Sequence, residues 1–136
     1  MVPSVDIQSA GIKRLTRNDY SWLEPGSRSH QAGINLPLKQ FADVFPDLVG
    51  STGSPRILFS AKWFSVDGRI ISSCSHEVVW YESKRELRLL HLEKDIFRMV
   101  AKTGAMLAIS RSEYELEIRA VPDSAEPILG LFNLTP

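Results

Sequence analysis

Hydrophobic and polar positions alternate most cleanly between Glu113 and Ala120, where Tyr114, Leu116, Ile118 and Ala120 fall on one side and charged residues on the other. Successive side chains of a strand point to opposite faces, so this segment predicts a strand with one core face and one solvent face. Arg56 to Val66 has the same period, with Ile57, Phe59, Ala61 and Trp63 set against Ser60 and Lys62. The run Val66-Asp67-Gly68-Arg69 that follows is turn chemistry and leads into Ile70-Ile71, which predicts a β-hairpin. His76 to Tyr81, Leu87 to Leu92 and Ala105 to Ile109 are further short runs of strand type. Short strands joined by close turns imply a barrel or sandwich.

Helical spacing is scarcer. Leu38 to Phe45 follows Pro37, places Leu38, Phe41 and Phe45 on one side and stops at Pro46. A second helix is expected from Asp95 to Lys102, and Ala125 to Phe132 is a candidate terminal cap whose helix starts near Pro127. The expected architecture is a β-rich barrel with small helices at its ends, a single domain over residues 1–136.

Two polar stretches interrupt the pattern. The first, Arg17 to Gln31, holds Arg17, Asn18, Asp19, Tyr20, Trp22, Arg28, Ser29, His30 and Gln31; the second runs from Glu82 to Arg88 with its flanks. The first is rich in side chains that hydrogen-bond base edges and phosphates. It reads equally as a surface Ω-loop with Pro25-Gly26 at its tip. Charge narrows the choice only slightly. The 16 basic and 16 acidic residues cancel, which argues against coating nucleic acid by bulk charge. Residues 1–111 hold fifteen Lys and Arg against eleven Asp and Glu, whereas residues 112–136 hold one against five. The lone Cys74 excludes an internal disulfide, and Met1 is not followed by a basic and apolar leader. Cytoplasmic location and a partner other than a membrane are the expectations.

The segments Leu15 to Asp19, Gly26 to Pro37 and Val44 to Pro46 bring in a family. An Asn-Asp pair, a variable loop, then His30-Gln31-x-Gly33-Ile34-x-Leu36-Pro37 and a helix ending at Phe45-Pro46 resemble the N-terminal effector domain of EcoRII-type restriction endonucleases. Weaker likeness at Val78 to Ser83, Glu86 to Leu92 and Lys102 to Leu107 extends it over residues 12–121, with 122–136 a tail or the start of a linker. The resemblance implies a seven-stranded open β-pseudobarrel of the type shared with plant transcription factors, two short helices at its ends, and two DNA-gripping arms. It implies double-stranded DNA as partner and, as further partner, a nuclease domain elsewhere in the same protein. No cofactor is expected in this chain; Mg²⁺ belongs to that nuclease domain. CCWGG, with W either A or T, is the site the family suggests.

Carried onto this sequence, the first arm and following strand supply His30 and Asn35, the latter where EcoRII has Tyr. The second arm, with His91 in its flank, supplies Lys84, Arg85, Glu86 and Arg88. Arg17, Arg28 and Arg88 are candidates for guanine, Asn18, Gln31 and Asn35 for adenine or phosphate, and Asp19 or Glu86 for cytosine. Lys13, Lys84 and Arg85 are candidates for phosphate. Tyr20 and Trp22 stack on sugar or pack the arm. His30 contacts DNA or closes the loop, and Gly33 permits a close backbone approach. Two other readings stay open. Asp67 followed fifteen residues later by Glu82-Ser83-Lys84 has the form of a Mg²⁺-dependent nuclease signature, and a protein-interaction barrel with an acidic tail fits the charge asymmetry. Cys74 and His76, two apart on a strand, do not suggest a nucleophile pair.

Overall fold

The computed structural model describes residues 10–23, 33–100 and 105–122. Its elements are β1 (Ala10–Arg14), α1 (Arg17–Tyr20) continued by a 3-10 turn (Ser21–Leu23), β2 (Ile34–Leu36), α2 (Leu38–Phe41), β3 (Arg56–Phe64), β4 (Ile70–Tyr81), β5 (Glu86–Leu89), α3 (Lys94–Val100), β6 (Met106–Ser112) and β7 (Glu115–Val121). The seven strands form one sheet in the order β1-β6-β7-β3-β4-β5-β2. All pairings are antiparallel except β3 with β7, which is parallel.

These directions define two ends. β1, β3, β5 and β7 run one way and β2, β4 and β6 the other, so the upper end gathers the segments after β1 and β5 and the β3–β4 turn. The lower end gathers the chain from β2 to β3 and the β4–β5 and β6–β7 turns. Inward residues of β2 to β7, among them Leu36, Phe59, Trp63, Val78, Trp80, Leu87, Leu107 and Ile118, join Phe41, Val44 and Phe45 in one buried cluster. The sheet is thus a nearly closed, mainly β barrel, as the alternation and the resemblance implied.

Closure at β1 is made by α2 rather than by another strand. The Ile12 amide donates to Gln40 Oε1 at 3.0 Å. A Cβ at Gly11 would lie 2.8 Å from the Gln40 carbonyl and 2.8 Å from the Phe41 ring, so the absent side chain is what seats α2 on the strand. Arg111 fastens the lower end: Nη1 donates to Val44 O at 3.1 Å, both terminal nitrogens reach Asp47 at 2.8 Å, and the guanidinium lies over Phe59 at 4.9 Å. Its hydrogen bonds to Asp47 hold that carboxyl below its usual range.

Lys13, Asp19 and His76 are the buried polar side chains among the described residues, and His76 is the most deeply buried of them. His76 is 1% exposed; its Nε2 accepts from Trp63 Nε1 at 2.9 Å and its Nδ1 lies 3.0 Å from Leu90 O. A donor at Nε2 and an acceptor at Nδ1 suit the neutral imidazole, and burial lowers the His76 pKa. Cys74 Sγ lies 3.3 Å from the same Nε2, and burial raises its thiol pKa.

Some expectations are corrected. Tyr114 is not on the core face: it is 64% exposed, because Glu113 takes φ 53° in the turn and β7 begins only at Glu115. α2 ends at Phe41, and the chain to Val49 continues as turns bonded through Phe41 O and Phe45 O. α3 begins one residue early, at Lys94. Its expected end at Lys102 and the cap at Ala125 to Phe132 lie outside the described residues.

Candidate nucleic-acid interface

At the upper end the chain leaves β1 through Leu15 and Thr16 into the single turn of α1. Arg17 and Asn18 are exposed on it. Asp19 is not: it is 6% exposed, and its Oδ2 accepts from Thr16 N at 2.7 Å and Thr16 Oγ1 at 3.1 Å while lying 3.4 Å from Lys13 Nζ. Asp19 as a cytosine acceptor and Lys13 as a phosphate contact are therefore corrected, since each is committed to the other inside the protein. Trp22, 4% exposed, donates from Nε1 to Asp19 O at 2.8 Å and packs on Phe97 of α3 with ring centroids 5.5 Å apart. Tyr20 packs on the same ring at 5.5 Å. Of the two roles open to these aromatics, packing is the one observed. Arg28, Ser29, His30 and Gln31 lie outside the described residues.

Where the chain re-enters as β2, Gly33 admits the close approach expected of it, for a Cβ there would lie 2.9 Å from Leu89 O. Asn35 pairs directly with Arg88 on β5. Both are half-buried on the outward face, between the inward pairs Ile34 with Leu89 and Leu36 with Leu87. Arg88 Nη1 lies 3.8 Å from Glu86 Oε2, and its buried Nε has no hydrogen-bond partner among the described residues. Two carried-over residues from separate stretches are thus neighbours.

Within the second stretch Arg88 lies beside the strand that follows the first, but the turn that precedes β5 does not. Residues 82–85 form a tight turn at the lower end, with Arg85 N donating to Glu82 O at 3.2 Å and Glu82 bonded to the Gly53 amide. Arg85 takes φ 51° and lies over Trp80 at 5.5 Å, while Lys84 is exposed. The reason is strand direction. β2 runs antiparallel to β5, so the start of β2 meets Leu89 and the β4–β5 turn lies beyond its other end. His91 lies past the opposite end of β5, with Nε2 2.6 Å from Glu77 Oε1; this contact first, and Arg56 after it, holds the Glu77 carboxyl low.

The segment that does share the upper end is the β3–β4 turn, which alternation located but gave no role. Ser65 N donates to Arg69 O at 2.9 Å, and Gly68, at φ 85°, donates to Ser65 O at 2.9 Å. Asp67 is bonded to Ser65 Oγ, and its Oδ2 accepts from Arg69 Nε at 3.0 Å, with the Ser65 bond the larger cause of its lowered pKa. The Arg69 side chain, 85% exposed, is thereby tied at Nε. Val66 and Ile70 beside it are both 61% exposed. Strand parity, counted from β1 to the hairpin, was the signal that would have placed this turn at the same end. The same geometry removes the nuclease reading: Asp67 precedes and Glu82 follows the 12 residues of β4, a span of roughly 35 Å at about 3.3 Å per residue. One metal ion cannot bridge them.

No protein-family model matches the chain, and neither does any curated protein. A solved structure is similar. It is an Arabidopsis FUS3–DNA complex, with 17% identity and a TM-score of 0.49, over 81% of this chain and 93% of that one. The barrel described above rests on its own strand pairing.

Proposed function

We propose that this chain binds double-stranded DNA sequence-specifically in the major groove. The observation that carries the reading is the upper end of the barrel, where strand direction places both α1 and the β3–β4 hairpin and where Arg17, Arg69, Lys94 and Arg98 are exposed. Arg69 is oriented by Asp67 through Nε, which leaves its terminal nitrogens to address a guanine edge as a fork. Arg17 and Asn18 project from the other side, and Asn35 with Arg88 forms a polar pair below. The motif likeness from Leu15 to Pro37 supports the same end as the contact surface. We further propose the context that likeness suggests: a recognition domain of a cytoplasmic restriction endonuclease, acting with a Mg²⁺-dependent nuclease domain elsewhere in the protein, with CCWGG as the first site to try.

Selection of duplexes from a random pool at about 0.15 M salt tests this, because a specific site exceeds non-specific binding by roughly 10³-fold or more. A short enriched motif that weakens with Arg69→Ala and Arg17→Ala is the expected result. Absence of enrichment refutes the reading and favours a protein-interaction barrel, for which Leu58 and Tyr114, 63% and 64% exposed, are the places to look.

A further inference from the structure

A helix of one turn has no stability of its own, because fixing its first residues costs more than its first hydrogen bond returns. The four residues of α1 must therefore be held by something else. The structure supplies two holds. At the root, Asp19 Oδ2 gathers Thr16 N, Thr16 Oγ1 and Lys13 Nζ at 2.7, 3.1 and 3.4 Å. At the far side, Asp19 O takes the Trp22 indole at 2.8 Å and Arg98 Nη2 of α3 donates to Leu23 O at 3.1 Å.

The Lys13 and Asp19 side chains are only 6% and 7% exposed. A buried ion pair is weak evidence for stability, since apolar residues of similar volume often serve as well. What apolar residues cannot do is accept the Thr16 amide and hydroxyl. That acceptor fixes the turn in which Arg17 and Asn18, the two residues between Thr16 and Asp19, face outward.

We propose that Asp19, neutralised by Lys13, is a positioning residue: it reads no base but sets the α1 turn so that Arg17 and Asn18 meet the DNA. The proposal rests on the DNA-binding reading above and assigns Asp19 a role at that same surface. It separates two neutral double variants. Lys13→Met with Asp19→Asn removes both charges and keeps a carbonyl acceptor for Thr16. Lys13→Met with Asp19→Leu removes the acceptor as well.

Two measurements decide it. The first needs no DNA: trypsin cleavage after Arg17, timed on each variant with far-UV circular dichroism as the check on folding. Cleavage about tenfold faster in the Leu variant, and near wild type in the Asn variant, is expected; equal rates in both overturn the positioning role. The second is affinity for the selected duplex, expected to fall about tenfold or more in the Leu variant and to be restored in the Asn variant, with the salt slope little changed. Faster cleavage with unchanged affinity overturns the link to DNA. Should the wild-type chain select no duplex, the DNA-binding reading fails, this proposal falls with it, and the cleavage rates still report whether Asp19 orders α1. If the Leu variant does not fold, the Lys13→Met, Asp19→Asn variant, which keeps the acceptor and leaves no unpaired buried charge, must still match wild type in cleavage, and a rise there overturns the role.

Discussion

Trp63→Phe tests the neutral polar contact at the centre of the barrel. Trp63 and His76 are each 1% exposed, and the indole is the donor that His76 Nε2 accepts at 2.9 Å. The substitution leaves Nε2 a buried acceptor served only by the weak Cys74 thiol donor at 3.3 Å. An unsatisfied buried acceptor costs about 1–3 kcal/mol, and the volume lost from indole to phenyl adds about 1 kcal/mol. The expected loss at pH 8 is thus about 2–4 kcal/mol, or very roughly 10 °C in Tm. A second signature follows from protonation. Burial holds the native His76 pKa below its ordinary 6.5, so the unfolded chain takes up a proton first as pH falls. The wild-type contribution is therefore complete above about pH 6.5 and is lost as pH falls toward the native pKa. Removing a donor that only the unprotonated Nε2 can accept makes protonation easier, so the variant should lose less on acidification and the two stability curves should converge. Urea unfolding followed by far-UV circular dichroism at pH 8, 6.5 and 5.5 measures both. A loss under about 1 kcal/mol at pH 8, or parallel curves, would refute the reasoning.

Gly11→Ala should destabilise the barrel by about 1–3 kcal/mol, because the new methyl meets the Gln40 carbonyl and Phe41 at 2.8 Å and α2 must shift; thermal unfolding reads it, and a change within experimental error would mean that α2 is not seated on β1. Arg111→Ala should cost about 2 kcal/mol through lost packing over Phe45 and Phe59 and the loss of the Val44 and Asp47 contacts. High salt should recover little of the difference, and full masking by salt would show that only surface charge was involved. The stability that Asp47 gains from Arg111 belongs above its unfolded pKa, near 3.8, and is lost as pH falls through the lower native value, so the Arg111→Ala penalty should shrink in strong acid.

Alternation located the strands well because each barrel strand has one dry and one wet face. Phe59, Ala61 and Trp63 on β3 and Leu116, Ile118 and Ala120 on β7 are all buried as their spacing required. Tyr114 kept the period but not the burial, because a left-handed turn at Glu113 interrupts the strand just before it. The candidate interface was less legible. Polarity identified Arg17 to Gln31 as irregular, yet it could not tell an outward Asn18 from an inward Asp19 one residue on. That distinction depends on Lys13, whose charge gives no hint in the sequence that it is buried. Glu82 to Arg88 misled for a different reason: polar composition marks turns at either end of a barrel alike, and only strand direction separates them.

The strand order also bears on how the molecule comes into being. β7, the last of the described strands, occupies an inner place between β6 and β3, and β1 pairs with β6. A ribosome-bound chain that has emerged only through α3 has β2 to β5 available and α2 to cover β1, while β1 must wait for its strand partner, nearly a hundred residues away. Such long-range closure is slow and leaves strand edges bare in the interim. The Arg17 turn grows from β1, so the proposed reading surface is the last part of the barrel to receive its foundation. A nascent chain would hold its hairpin before it held the means to use it.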